Sequence, residues 1–451
     1  MSRDSLCIDD RHSGYRLFTL DRRNRINGTS MLFEPCISPK GNKGIAMFTY
    51  RSVRNPQPSA CARQALEAAL LTCLALAAAC APSSDETPGV TSAAGEAADQ
   101  PFETDHFVPS TPENLNWGWF PIDKEPVLRM QSGETVRVNT LTHVGAGQNE
   151  DPVTYLTGLG IPRDEILQDV LDFWATRDGR PREGRSGHVI TGPIHVEGAE
   201  PGDVLEIKIL SIETRVPWGV NSTSARGGVF STSYPGYAEG DPALDILPGT
   251  RHVIRTGEVD GREVAFFSDD IQVPLAPFMG ILAVAPDPVV GQPGVTVPSV
   301  QGSRPPGPFG GNLDVKDLKA GTTVYLPVFH PGALFYVGDG HGAQGDGEVS
   351  GTAIEQSLTG TFRLRVHKDR SITGPRAEND QHYILMGIDL DLDRAARHAV
   401  WEVVNFLVEE KGLTPARALS LASIAVDFRI SEVVDLTQVV SGFIPKDVFL
   451  R

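Results

Sequence analysis

The chain has 451 residues, with 57 Asp+Glu against 40 Lys+Arg, and is long enough to bury a sizeable core in one large domain or two. Residues 81–451 carry 51 acidic and 29 basic side chains, which argues against nucleic acid or an anionic membrane surface as a partner. All five cysteines lie within the first 80 residues. The rest of the chain therefore has no disulfide, thiolate zinc site or cysteine nucleophile.

The N-terminal region has the pattern of an export signal. A short apolar stretch, Ala65–Ala79, follows three arginines and ends in small residues directly before Cys80. This predicts a signal peptide with a lipobox, too short to be a stable membrane span, and a lipid anchor at Cys80. The alternative is a soluble buried helix. We expect an exported, periplasmic protein with a mispredicted extension at 1–46, a signal peptide at 47–80 beginning at Met47, a flexible tether at 81–105 and a catalytic domain at 106–451.

Short strands separated by Gly, Pro and Asp turns dominate the chain after residue 105. Period-two alternation predicts strands at 128–131, 135–138 and 204–210, and Gly192–Ile209 has the pattern of a hairpin that turns at 200–203. Helical spacing predicts helices at Arg163–Thr176, Leu392–Lys411 and Pro415–Ala425. The predicted fold is mainly β, with sandwich-like antiparallel sheets and a few helices mostly toward the C-terminus (α+β overall).

One segment, Gly338–Glu348, concentrates groups that bind metals and move protons. Its sequence is Gly-Asp-Gly-His-Gly-Ala-Gln-Gly-Asp-Gly-Glu, in which the glycines permit tight backbone turns between two aspartates, a histidine, a glutamine and a glutamate. Apolar runs at 324–329 and 332–337 precede it, so we expect a loop that leaves the end of a buried strand. The alternatives are a Gly/Asp surface turn and a structural calcium loop.

Five segments in order resemble the acetamidase/formamidase family. They are 192–203, 268–275, 309–314, 331–355 around the Gly338–Glu348 segment, and 427–431. The resemblance extends from about Phe107 to the C-terminus and implies hydrolysis of a small linear amide to ammonia and a carboxylate. Two positions depart from the family: Asn116 stands where a His usually precedes Trp-Gly, and Ser350 where a Cys is frequent. An aromatic-bearing segment, Trp218–Tyr237, favours larger or cyclic amides if it lines the pocket.

Without a cysteine nucleophile or a Ser-Ser-Lys arrangement, amide hydrolysis calls for a water activated by a divalent metal, zinc or calcium. We expect His341 and Asp339 as ligands, with Asp346 as a further ligand unless it only caps a turn. His188 is a ligand candidate through its match to a family position. His143 ends a strand and ranks lower.

Catalytic roles are expected for Glu348 as general base, together with His341 and Asn312. The substrate amide is expected to contact three polar side chains, Asn312, Asp314 and Gln344, because an amide needs both a donor and an acceptor. Glu355 orients these groups from behind. Arg429 is interpreted as a structural ion-pair partner of Asp427. We further expect a homo-oligomer, no nucleic-acid partner, and membrane contact only through Cys80. The alternative function is a non-catalytic periplasmic solute- or metal-binding protein on the same fold.

Overall fold

Two large β-sheets form the framework of the protein. The computed structural model describes residues 103–180, 187–224, 227–231, 249–289, 292–297 and 300–450; the predicted extension, signal peptide, Cys80 and nearly all of the predicted tether lie outside these residues. The strands within them are, in chain order, β1 His106–Val108, β2 Leu115–Trp117, β3 Leu128–Met130, β4 Thr135–Asn139, β5 Val189–Val196, β6 Val204–Thr214, β7 Trp218–Thr223, β8 Thr250–Val259, β9 Arg262–Ser268, β10 Ile271–Pro274, β11 Phe278–Ala283, β12 Val295–Val297, β13 Val300–Gln301, β14 Gly310–Asn312, β15 Thr323–Pro327, β16 Phe335–His341, β17 Leu358–His367, β18 Arg376–Glu378, β19 His382–Asp389, β20 Asp427–Asp435 and β21 Thr437–Pro445.

The sheets are largely antiparallel, which confirms the predicted fold class. The first has nine strands in the order β1-β4-β17-β6-β15-β18-β19-β21-β20, and the second has six, β14-β11-β16-β5-β2 with β3 beside β5. Only β1 with β4 and β3 with β5 pair in parallel in these two sheets, as far as the described residues go. A four-stranded sheet, β10-β9-β8-β7, and a β12–β13 pair complete the described strands.

The main core fills the space between the nine-stranded and six-stranded sheets. On β6, alternate residues Leu205, Ile207 and Ile209 are buried in the same cluster as Ile281 of β11 and Val337 of β16. Period-two alternation on β6 therefore places one face of the strand inward, as the sequence predicts. Strand β16 is buried along its whole length, so side chains on both of its faces lie away from bulk solvent.

Four α-helices occur in the described residues: α1 Pro152–Gly158, α2 Gln168–Ala175, α3 Leu392–Glu409 and α4 Pro415–Ala425. The prediction for α4 is confirmed, and α3 ends two residues earlier than predicted. The predicted helix at Arg163–Thr176 is only partly present. Ile166 and Leu167 are extended and separate a 3-10 turn from α2. None of the helices among the described residues combines the length and apolar character needed to cross a membrane.

The predicted hairpin at Gly192–Ile209 is wrong, although its turn is present. The backbone N–H of Asp203 donates to the carbonyl oxygen of Glu200 at 3.1 Å, as a tight turn requires. The flanking strands do not pair with each other, because β5 belongs to the six-stranded sheet and β6 to the nine-stranded sheet. The turn therefore carries the chain from one layer of the sandwich to the other.

Candidate metal centre and active site

Asp339 and His341 project from β16, the third strand of the six-stranded sheet. The sequence interpretation placed them in a loop, but residues 335–341 are strand and the turn follows only after His341. Residues two apart on a strand point to the same side, so both side chains reach the same buried space. Gly338 and Gly340 pack closely against neighbouring backbone, because a Cβ at either position would collide with Val189 or Gln356.

Four side chains converge on one point beside β16, and we call them the cage: His143, Asp339, His341 and Glu355. Nε2 of His341 lies 3.6 Å from Oδ2 of Asp339 and 3.4 Å from Oε2 of Glu355. Nδ1 of His143 lies 3.6 Å from Oδ1 of Asp339 and 3.5 Å from Oε2 of Glu355. His143 follows β4 and Glu355 precedes β17, so both sheets contribute to the cage.

Three polar atoms of the cage are buried without any hydrogen-bond partner among the described residues. They are Nδ1 of His143, Oδ1 of Asp339 and Oε2 of Glu355. Buried polar groups are almost always satisfied, so orphaned donors and acceptors that face one another indicate a missing ligand. Imidazole nitrogens with carboxylate oxygens are the donor set expected for a divalent transition metal such as zinc. The cage therefore fits a divalent cation.

His341 is held in the tautomer that such a cation requires. Its Nδ1–H donates to Oε1 of Gln344 at 2.9 Å, and Nε2 of Gln344 donates to the carbonyl oxygen of Asp314 at 2.7 Å. This chain fixes the ring and leaves Nε2 of His341 facing the cage as an acceptor. His188 stands at the edge, with its Nε2 3.8 Å from Oδ2 of Asp339 and its Nδ1 3.1 Å from the hydroxyl oxygen of Ser303.

The electrostatics of the cage favour an ionised Asp339. Burial alone would raise the pKa of this carboxyl, but the neighbouring His188 and His341 outweigh burial and hold it well below its usual range. Conversely, burial would lower the pKa of His341, but the carboxylates of Glu355 and Asp339 raise it well above its usual value. The cage thus attracts positive charge, as a site for a cation requires.

A second group of buried carboxyls adjoins the cage, and we call it the acid cluster: Asp314, Glu348, Asp435 and Glu432. Nδ2 of Asn312 donates to Oδ2 of Asp314 at 2.6 Å and to Oδ2 of Asp435 at 2.5 Å. Burial, with the charge of neighbouring carboxyls, raises the pKa of Asp314 and of Glu348 well above the usual range. Asp314 and Glu348 therefore retain protons that ordinary carboxyls lose.

Glu432 and Asp435 were missed from the sequence. They lie on β20, where Oε1 of Glu432 accepts hydrogen bonds from the backbone N–H groups of Val434 and Asp435. Burial and the charge of Asp435 raise the pKa of Glu432 well above its usual range. The available signal was two acidic residues within an otherwise apolar strand-like run, Ser431–Leu436, since buried carboxyls are rare without a function or a partner.

Backbone strain marks the same residues. Asp314, Asp339 and Glu348 have φ angles of +46°, +54° and +45°. The left-handed region is uncommon for residues other than glycine and is concentrated at functional sites, where surrounding structure enforces it. Three strained carboxyl residues around one histidine support the assignment of this region as the functional site.

A model of the acetamidase/formamidase family matches residues 176–292 and 299–451, more than half of the chain. The chain belongs to the acetamidase/formamidase family. It is 32% identical over 203 residues to an acetamidase of Mycolicibacterium smegmatis, covering 36% of this chain and 49% of that protein. It is 27% identical over 353 residues to a formamidase of Methylophilus methylotrophus, covering 64% and 85%.

Solved structures of family members share the fold. An acetamidase of Bacillus halodurans superposes with a TM-score of 0.58 at 28% identity, covering 76% of this chain and 98% of that one. An acetamidase of Yersinia enterocolitica gives a TM-score of 0.60 at 26% identity, covering 76% of this chain and 93% of that one.

A further sequence relative, a protein of Schizosaccharomyces pombe named as a putative formamidase, is 30% identical over 296 residues. The match spans 57% of this chain and 65% of that protein.

Asn116, directly before Trp117, is buried next to a lysine. Its Oδ1 accepts a hydrogen bond from Nζ of Lys124 at 3.2 Å, and the same Nζ donates to the carbonyl oxygen of Gly192 at 2.9 Å. Burial, with the positive charge of Arg180, lowers the pKa of Lys124 to about 7. The Asn116–Lys124 pair therefore contains a group, the Lys124 ammonium, that titrates near neutral pH.

Other residues singled out from the sequence lie apart from the cage. Asp346 is exposed and its carboxylate forms an ion pair with Nζ of Lys316 at 2.9 Å. Arg429 pairs with Asp317 at 3.3 Å and stacks on the ring of Phe443. The interpretation of Arg429 as the partner of Asp427 is therefore wrong. Trp218 is buried and its indole N–H donates to the carbonyl oxygen of Glu165 at 3.4 Å.

A cavity of about 550 Å³ opens beside the acid cluster. Gln344 and Glu348 line it, and a ligand atom of Glu348 lies within 4.8 Å of those of His341 and Glu355. Glu348 therefore connects the cavity with the cage. Trp218 does not line the cavity, whose aromatic wall is instead formed by Phe267 of β9.

Proposed function

We propose that this protein hydrolyses the C–N bond of a linear amide, giving ammonia and a carboxylate, at the cage of His143, Asp339, His341 and Glu355. The observation that carries the proposal is the set of orphaned polar atoms that face one another in the cage. Family membership supports the reaction, because the relatives are named as acetamidases and formamidases. The donor set supports a divalent metal as the cofactor.

A divalent cation in the cage supplies Lewis-acid chemistry, lowering the pKa of a water and polarising the amide carbonyl. In its carboxylate form, Glu348 takes the proton of the attacking water and delivers it to the departing nitrogen. Its raised pKa makes its carboxylate a stronger proton acceptor than an ordinary glutamate, and it lies between the cavity and His341.

Asn312 holds the amide in the orientation that attack requires. Its Nδ2 is occupied by Asp314 and Asp435, whereas its buried Oδ1 has no partner among the described residues and accepts an N–H of the substrate. Asp314 fixes Asn312 from the other side, so we assign Asp314 a positioning role.

The test is ammonia release by the purified protein on formamide, acetamide and propionamide, before and after chelation and with zinc or calcium restored. We expect activity that chelation removes and one of the metals restores. The matched variants are Asp339→Asn, in the cage, and Asp346→Asn, exposed and outside it. Elemental analysis should show metal loss in the first variant only. Equal metal content in both variants would contradict the cage as the metal site.

A binding protein that has lost catalysis is the second candidate. Asn116 favours it, because the Asn–Lys pair takes the place of a histidine that family members usually have. Bound metal that is restored to the cage without any ammonia release from these amides would support this candidate over the hydrolase.

We also propose export and lipid attachment at Cys80, on the basis of the apolar stretch and small residues that precede it. Expression with a labelled fatty acid should label the wild-type protein and leave a Cys80→Ala variant unlabelled. Label retained in the variant would refute attachment at this residue.

A further inference from the structure

The cavity beside the cage is far larger than a one- or two-carbon amide needs. Its volume of about 550 Å³ falls within the range of roughly 300–1,000 Å³ typical of pockets that bury drug-sized ligands. Its walls are mostly apolar, and its polar end carries the reactive groups Gln344 and Glu348. The apolar lining comes from two regions of the chain and includes Ile254, Phe267, Val273, Pro274, Ala276 and Ile354.

We infer that the preferred substrate is a primary amide with an uncharged acyl chain of several carbons, rather than formamide or acetamide. The inference rests on the proposed amide hydrolysis. With its carboxamide at Glu348, such a substrate places its acyl chain along the apolar wall, which the smallest amides leave unfilled.

The aromatic wall comes from the four-stranded sheet. Phe267 on β9 and Val273 on β10 both line the cavity, and Val273 pairs with Ala265, which is two residues before Phe267 and shares its face. Phe267 remains 49% exposed, so its ring offers apolar surface that a ligand would remove from water. Removal of apolar surface from water is the main source of affinity for an uncharged chain.

Charge at the cavity argues for an uncharged chain. Lys316 is neutralised by Asp346 at 2.9 Å, and Asp317 is neutralised by Arg429 at 3.3 Å. Lys319 is exposed and also lines the cavity. Because Lys319 could attract an anion, an amide whose acyl chain ends in a carboxylate is the competing substrate, and the experiment includes it.

The experiment measures kcat/KM for formamide, acetamide, butyramide, hexanamide and adipamic acid, the six-carbon amide with a terminal carboxylate. Each methylene buried on the apolar wall should raise kcat/KM about three- to fourfold, so hexanamide should exceed acetamide by on the order of 100-fold. Adipamic acid should be poorer than hexanamide. A higher kcat/KM for adipamic acid would overturn the inference in favour of an anionic chain.

Adjacent phenylalanines provide matched variants. Phe267 lines the cavity, whereas Phe266 faces the other side of β9, toward Gly257, and does not line it. Phe267→Ala should lower kcat/KM for hexanamide by about tenfold and affect acetamide much less, while Phe266→Ala should change neither. Equal effects of the two variants on hexanamide would refute the assigned wall.

Failure of the inference differs from failure of the proposed function. Turnover that is highest with formamide or acetamide and does not rise with chain length would overturn the inference and leave amide hydrolysis intact. No ammonia from any amide, with metal bound, would overturn both. Binding of hexanamide to a Glu348→Gln variant, measured by calorimetry, should be tighter than that of acetamide, and equal affinities would count against the inference independently of turnover.

Discussion

Gly280→Ala is expected to disable the site by crowding it from behind. Gly280 lies on β11, opposite Asp339 of β16. A Cβ at this position would lie 3.1 Å from Cε1 of His341 and would overlap Oδ1 of Asp314. The φ of Gly280 lies outside the left-handed region, so the substitution adds crowding without backbone strain.

The size of the effect follows from the geometry. Relieving the overlap with Asp314 requires a shift of about 1 Å, because carbon contacts are optimal near 3.5–4.0 Å. Asp314 cannot move freely, since Nδ2 of Asn312 holds it at 2.6 Å. A misplacement of this size costs about 100-fold in rate, and overpacking typically costs about 1–3 kcal/mol of stability.

Ammonia release and thermal unfolding of the same preparation measure the two effects. Gly257→Ala is the control, because its Cβ would meet only the ring of Phe266, at 3.2 Å, on an exposed strand. The control should retain both activity and stability. Full activity in Gly280→Ala would show that the placement of Asp314 and His341 does not limit catalysis, and would refute the reasoning.

Three further outcomes are expected. Glu348→Gln should leave folding intact by circular dichroism and cut turnover by about 10²- to 10⁴-fold, and a fully active variant would remove Glu348 from the mechanism. Removal of the metal should lower stability by about 2.7 kcal/mol if the metal had been present at 100 times its Kd, and thermal unfolding of the Asp339→Asn variant should be insensitive to the same chelator. Glu432 has a raised pKa in the folded protein. Above about pH 4.5 the unfolded state therefore releases a proton that the folded state still holds. The free energy of unfolding should fall as the pH rises from about 4.5 toward the raised pKa of Glu432. Glu432→Gln mimics the protonated acid and should flatten this dependence in urea unfolding of the metal-free protein, whereas equal slopes for variant and wild type would contradict a proton held by Glu432.

Local sequence patterns predicted those parts of the site that lie close together in the chain. Asp339 and His341 are two residues apart, so any extended backbone places them on one side. The turn at Glu200–Asp203 was likewise readable from its residues. The sequence could not show which strands the turn connects. Tertiary packing decides whether β5 and β6 pair with each other or enter different sheets, and here they enter different sheets.

The remaining groups of the site come from distant elements. His143 follows β4 and Asp435 ends β20, which lie in the nine-stranded sheet, whereas Asp339 lies in the six-stranded sheet. Their meeting depends on how the two sheets face each other, and no local pattern contains that information. The sequence therefore favoured His188 over His143 as a ligand. In the structure, Nδ1 of His143 lies 3.6 Å from the Asp339 carboxylate, and Nε2 of His188 lies 3.8 Å from it.

Asp339 and Glu348 are both buried carboxyls of the site, but their protonation states are opposite. Asp339 stays ionised beside its histidines, whereas burial and the neighbouring carboxyls outweigh His341 and keep the proton on Glu348. Gln344 links the two groups, since it accepts from His341 and donates to the carbonyl oxygen of Asp314. A cation in the cage would lower the pKa of Glu348 from its raised value, because a nearby positive charge favours the carboxylate. On the proposed mechanism, a cation in the cage would therefore favour the carboxylate form of Glu348, which accepts the proton.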